Sequence, residues 1–184
     1  MSKRAQRRPP TRSTTVSPWS TLAASGSNLN FEDFLTFRIT RLSNALRTNL
    51  TKPYLEAFGL SLPEWRLLAL TARFAPLRFS EVTSRSSMDK GQVSRTLRVM
   101  EKRGLTKLKV IRGTTRSTEA LAAPVMVSIT AKGMGLYRSV LPVARRRQAE
   151  MLLTLSEKER NALYATLAKL YTSIGATADG NDAE

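Results

Sequence analysis

The chain has 184 residues, 41% of them hydrophobic, which suits one domain with a real core and tails. Its 30 Lys and Arg against 14 Asp and Glu leave a formal charge of +16, which calls for a polyanionic partner such as nucleic acid or an acidic membrane surface. It contains no Cys and no His, which excludes disulfides, thiol redox switches, imidazole general bases and any His/Cys metal site. The acids are spread singly along the chain, so no catalytic constellation, cofactor or metal is expected. No apolar run approaches the roughly 18 residues of a spanning helix, so membrane insertion is disfavoured, and the absence of Cys is compatible with the cytoplasmic location expected.

Residues 1–27 read as a disordered basic tail. Lys3, Arg4, Arg7, Arg8 and Arg12 face no acid, and Pro9, Pro10, Pro18 and many Ser and Thr leave little to bury. An organelle transit peptide shares this composition, but the prolines break the amphipathic helix it requires, and a DNA-adhesive arm fits better. Order is expected from about Asn30. Asn30 and Asp33 can cap a long helix over roughly 31–49, with Leu35, Ile39, Leu42 and Leu46 forming a sustained apolar seam. A short helix follows Thr51, tolerates Pro53 in its first turn and stops at Gly59. Ser61 and Glu64 form a capping box for a helix that carries Trp65, Leu68, Ala69 and Ala72 on one face and ends before Pro76.

The segment Ser80-Glu-Val-Thr-Ser-Arg predicts a second short helix capped by Ser80, then a tight turn at about 86–89. Asp89 and Gln92 can cap the next helix, in which Val93, Leu97 and Met100 fall at i, i+4 and i+7. Gly104 stops it and Leu105 re-enters the core. Two short helices joined this way make a helix-turn-helix. After Gly104 the apolar period changes from 3.6 to 2. Leu108 and Val110, then Val125, Val127 and Ile129, read as a hairpin with a long tip over 112–124. The expected fold is therefore mainly α with a small β-hairpin wing, an α+β winged helix-turn-helix. Thr130 caps a helix to about Leu153 with a break at Pro142. Ser156 and Glu159 cap a last helix with Leu163, Leu167 and Leu170 in register, and 175–184 form a flexible C-terminal tail.

The charge is concentrated. Residues 78–116 hold 11 Lys and Arg and 3 acids, a difference of +8, half of the whole excess. A recognition helix offers its N-terminal residues to the major groove while flanking cations hold phosphates. Gln92 matches adenine and Arg95 or Lys90 guanine, Ser94 is small enough for close approach, and Arg112 and Arg116 on the wing can reach the minor groove. Ser80, Lys90, Gly91, Gln92, Ser94, Arg95, Arg98, Arg112 and Arg116 thus make up the candidate DNA interface. Each alone reads equally well as a solvated surface residue.

The order of SLPEWRLLALTARF, FSEVTSRSSMDKGQVSRTLRVMEKRGL, a hairpin ending VSIT, AKG and LSEKER resembles the MarR family of winged-helix regulators over roughly residues 30–172. The resemblance implies a winged-helix regulator domain over 28–174, with a DNA-binding lobe at 60–130 and dimerisation helices at 30–50 and 131–172. It implies a homodimer whose first and last helices interlock, which suits Leu35, Ile39, Leu42, Leu163, Leu167 and Leu170. It further implies a repressor that holds a pseudo-palindromic double-stranded operator and is released by a small organic effector, aromatic or anionic. Tyr54, Phe58 and Trp65 would lie near the effector crevice, although each reads first as an ordinary core aromatic. Such proteins carry an Asp just before the wing-tip Arg. Here Gly113-Thr-Thr precede Arg116, and Glu119-Ala-Leu-Ala-Ala-Pro124 lengthens the tip. The run Arg145-Arg-Arg147 is a second departure. A non-specific architectural DNA binder is the alternative function. An RNA-binding role is weaker, because aromatics are few and no RNA-stacking motif is present.

Overall fold

The computed structural model describes residues 17–111 and 125–175. The chain divides into two compact units, one ending at Ala45 and one beginning at Leu46. In the first, a 3-10 turn at Phe31–Asp33 leads into α1, Leu35–Ala45. Asn30 occupies the cap position without a side-chain hydrogen bond, and Asp33 instead pairs with Arg38 at 2.8 Å. Residues 17–29, most of which fall in the segment 1–27 expected as a tail, form hydrogen-bonded turns. Trp19 Nε1 donates to the Asp33 carbonyl at 2.7 Å, and the Asn28 carboxamide bonds both the Thr21 carbonyl and the Ala23 N–H. Asn28 satisfies two backbone groups at once, which composition alone does not reveal. The rest of the basic tail, residues 1–16, lies outside the described residues, as do 176–184 of the C-terminal tail.

The second unit opens with a π-helical turn, Leu46–Thr51, and α2, Lys52–Ala57. The single helix expected over 31–49 is thus replaced by three helical pieces of different pitch. Gly59, at φ +62°, ends this region as expected. The central helix is α3, Leu62–Phe74, which packs against α4 (Phe79–Ser86), α5 (Lys90–Lys102), α6 (Ala131–Leu152) and a small sheet. The Ser61–Glu64 capping box is formed in both directions. The buried face of α3 is Glu64, Leu67, Leu68 and Thr71, while Trp65, Ala69 and Ala72 are only half-buried. The expected face is rotated because α3 is covered by four helices and a strand, and Glu64 enters the interior with an ion-pair partner. The core contains Leu67, Leu68, Val82, Val93, Leu97, Met100 and Val127, all fully buried. Each such side chain contributes about 1.5–3 kcal/mol of burial.

The sheet has three antiparallel strands in the order β1 (Leu77–Arg78), β3 (Val125–Ile129), β2 (Thr106–Val110). The β2–β3 hairpin keeps the expected alternation, with Leu108 opposite Val127 and Val110 opposite Val125. The short β1, paired through Leu77 to Val127, adds a third strand to it. The pairing of Arg78 with Met126 also holds the chain extended up to the start of α4. That helix therefore begins at Phe79, and Ser80 is an exposed first-turn residue rather than the cap. The end is satisfied by Glu81, whose carboxylate accepts the Arg78 N–H at 2.6 Å.

Beyond Ala144, α6 is exposed to its end, and α7, Glu157–Ser173, has no buried residue. Leu163 and Leu167 are exposed and Leu170 is half-buried, while Tyr164 and Tyr171 also face solvent. The first unit has the same character: Phe31, Phe34, Leu35, Ile39 and Leu42 are exposed. No helix of the described residues is long and apolar enough to cross a membrane.

Candidate nucleic-acid interface

Helices α4 and α5 are joined by Ser87, Met88 and Asp89. Ser87 adopts the left-handed conformation, φ 50°, which turns the chain sharply, and Met88 plugs into the core to fix the turn. Asp89 Oδ1 then accepts the Gln92 N–H at 2.8 Å and closes the first turn of α5. Among the described residues the Gln92 side chain returns no hydrogen bond, so the expected reciprocal box is only half formed and the carboxamide is left for another partner.

The buried stripe of α5 is Val93, Thr96, Leu97 and Met100. Opposite it Lys90, Gly91, Arg95 and Arg98 are exposed, and Gln92 and Ser94 are half-buried. Lys90, Gly91, Ser94 and Arg98 share an open groove with Phe79, Leu97, Leu108 and Val125, which brings α4, the N-terminal half of α5 and both wing strands to one surface. Gln92 and Arg95 lie outside that groove on the same helix. The Arg95 guanidinium folds back along the first turn: a Cβ placed on Gly91 would stand 3.2 Å from it and 3.2 Å from Asp89 Oδ1. Gly91 thus leaves room for Arg95 at the positive end of the helix. Lys107 and Lys109 are exposed along β2. Arg112, Arg116 and the long wing tip lie outside the described residues.

The far end of α5 is tied down by residues remote in sequence. Arg103, just past its last turn, forms an ion pair with the buried Glu64 at the start of α3. Glu64 also accepts hydrogen bonds from the Ser61 N–H at 2.9 Å and the Ser61 hydroxyl at 2.7 Å. Burial pushes the Glu64 carboxyl up, but the Ser61 hydrogen bonds and Arg103 outweigh it and hold the group below its ordinary range. On the other side, Lys132 Nζ donates to the Arg103 carbonyl at 2.8 Å, Thr130 Oγ1 to the Gly104 carbonyl at 2.7 Å, and Thr130 N–H to the Leu105 carbonyl at 3.1 Å. Gly133 lets α6 approach so closely that a Cβ there would lie 2.1 Å from the Leu105 carbonyl oxygen. The segments PEW, EKRGL and ITAKG, widely separated in sequence, form one bracket at the base of the exposed helix.

Tyr54 is buried in the core, and Phe58 and Trp65 pack against it, with Trp65 stacked on Tyr137 at 5.8 Å. Of the Arg145–Arg147 run, Arg146 and Arg147 reach Glu150, at 3.9 and 3.2 Å. Among the described residues no group of three or more acids could hold a metal ion.

Residues 58–110 match a sequence model of the MarR family. No curated protein matches the chain. Among solved structures, the chain is similar to the Staphylococcus aureus MepR–DNA complex, at 18% identity over 76% of this chain and 98% of that one, TM-score 0.65. It is similar to a MarR-family transcriptional regulator from Silicibacter pomeroyi, at 25% identity over 79% and 92% of the two chains, TM-score 0.59. It also resembles the organohalide-sensing regulator RdhR in its 2,4-dichlorophenol-bound form, at 20% identity over 79% and 82%, TM-score 0.65. The matched segment, which holds the helix-turn-helix and β2, is similar in sequence to the MarR family, and the fold built around it is that of the winged-helix structures it resembles.

Proposed function

We propose that the protein is a sequence-specific DNA-binding transcriptional regulator, a repressor that acts as a homodimer on a pseudo-palindromic operator. The observation that carries this reading is α5. Its buried stripe is narrow, its N-terminus is capped, and Lys90, Gln92, Ser94, Arg95 and Arg98 are left available on a helix braced at both ends. Gln92 and Arg95 have the donor and acceptor geometry for base edges, and Lys90, Arg98, Lys107 and Lys109 are suited to phosphates. Arg112 and Arg116 extend the basic surface into the wing in sequence. The dimer reading rests on α1 and α7. Both expose aliphatic side chains that a lone chain leaves in water, joined by the exposed Phe31 and Phe34 just before α1 and by Tyr164 and Tyr171 on α7, an arrangement typical of an association surface. Leu35, Ile39 and Leu42 of one protomer and Leu163, Leu167 and Leu170 of its partner are the proposed contacts. A small organic effector, aromatic or anionic, fits the family pattern, as in the dichlorophenol-bound relative; the half-buried Phe58 and Trp65 are its proposed contacts, beside Tyr54. No enzymatic step is part of this function, and a cytoplasmic site of action follows from it.

Selection from random duplexes at about 150 mM salt, where weak phosphate-only binding is already suppressed, tests the reading. Enrichment of an inverted repeat with half-sites about one helical turn apart is expected. Tight binding without enrichment would replace it with the architectural role that the +16 charge also suits.

A further inference from the structure

Phe74, the last residue of α3, is well exposed and meets one cation from its own helix and one from α4. The Arg73 guanidinium lies 5.0 Å from its ring centroid, and the Arg85 guanidinium, from the last turn of α4, also lies 5.0 Å from it. The two charges therefore sit within twice that distance of each other. Among the described residues neither forms an ion pair, and neither guanidinium donates a hydrogen bond. Two like charges gathered on one ring, with neither held in an ion pair, favour an anion between or beside them. Stacking engages the guanidinium face and leaves its in-plane N–H donors free, the geometry that recognises phosphate in bidentate fashion.

We infer that Arg73, Phe74 and Arg85 form a phosphate clamp on the DNA backbone, separate from the base-reading face of α5. The inference rests on the proposed DNA-binding function. The place in the fold selects DNA phosphate over a free anion. Arg85 lies on the first helix of the helix-turn-helix, the one that crosses the backbone, only four residues before the cap of α5. The ring acts as a spacer that holds both guanidiniums against the loss of side-chain freedom that binding demands, so the clamp is preorganised.

The test is the salt dependence of binding to one fixed duplex, for the full-length protein and for Arg73→Gln, Arg85→Gln and Phe74→Leu. Each phosphate contact contributes about 0.9 to the slope of log affinity against log salt, so one arginine present twice in a dimer contributes about 1.8. Each Gln variant is expected to lower the slope by that amount, which shrinks the affinity lost between 50 and 200 mM salt about 12-fold. The preferred sequence stays unchanged. Phe74→Leu keeps both charges, and weaker binding at low salt is expected because the platform is gone. An unchanged slope in folded Gln variants overturns the clamp while leaving the regulator reading intact, and so does loss of self-association in place of DNA affinity. Binding by Phe74→Leu equal to that of the parent protein overturns the role of the ring. Failure of the parent protein to bind any duplex overturns the DNA reading itself.

Discussion

Replacing Gly133 by alanine adds one methyl group where the closest approach to any described glycine occurs. The new Cβ would lie 2.1 Å from the Leu105 carbonyl oxygen and 3.0 Å from Ile129 Cγ1. The first contact is with backbone, which cannot rotate away, so α6 must move by about an ångström relative to the start of β2, and overpacking of this kind costs about 1–3 kcal/mol. The same shift lengthens the Thr130 bond to the Leu105 carbonyl and the Lys132 bond to the Arg103 carbonyl, each a net ~0.5–1.5 kcal/mol. Alanine returns up to about 1 kcal/mol as a better helix former than glycine. The net expectation is a loss of roughly 2–4 kcal/mol, a large part of the ~5–15 kcal/mol that holds a domain of this size. Gly135 is the internal control. It sits two residues on in the same helix with nothing within 4 Å of its would-be Cβ, so alanine there stabilises by up to about 1 kcal/mol. Urea unfolding of the two variants, with DNA affinity measured in parallel, reads both signs. If Gly133→Ala unfolds within about 0.5 kcal/mol of the parent protein, the close approach of α6 to Leu105 is not a rigid feature, and the bracket does not fix α5.

Arg95→Ala should relax base preference and cost about 1–3 kcal/mol on the selected site; an equal loss on random duplex would make Arg95 a phosphate contact. Leu163→Asp combined with Leu167→Asp should turn the dimer into monomer in sedimentation velocity, whereas a folded, fully dimeric variant would locate the interface elsewhere. Glu64 should make stability fall in acid. Its folded carboxyl is held below the ordinary value, so its contribution is complete above the unfolded carboxyl range and is lost as pH falls through the folded value. Thermal unfolding across that range should show a decline that Glu64→Gln removes. A parallel pH dependence in the two proteins would mean the Glu64–Arg103 pair adds nothing that titrates.

What was readable along the chain shares a physical basis: it depends on neighbours in sequence. The caps at Ser61, Asp89, Thr130 and Ser156 bond N–H groups three residues ahead, so a short string carries the whole interaction. The Val93, Leu97, Met100 stripe and the Leu108–Val110 alternation follow from fixed helical and strand periods. From these the helix-turn-helix, its wing and the exposed face of α5 are legible. The features that escaped depend on partners far away. β1 is two residues long, too short for any period, and exists because Val127 and Met126 pair with it. That pairing moved the start of α4 and displaced Ser80 from the cap. Thr71 and Glu64, rather than Ala69 and Ala72, are buried on α3 because several neighbours enclose it.

The amino-acid sequence by itself determined the class of molecule: a basic winged-helix chain without thiol or imidazole chemistry, half of its excess charge gathered on the helix-turn-helix and wing. Charge and periodicity are properties of the string, and folding does not alter them. Only the tertiary structure decided how the exposed helix is held. Glu64 and Arg103 stand far apart in the chain, as do Leu105 and Gly133, and Phe74 meets Arg85 only because α3 and α4 pack together. Contacts of that kind are set by how the burial of one core forces the elements together, and no local pattern encodes them.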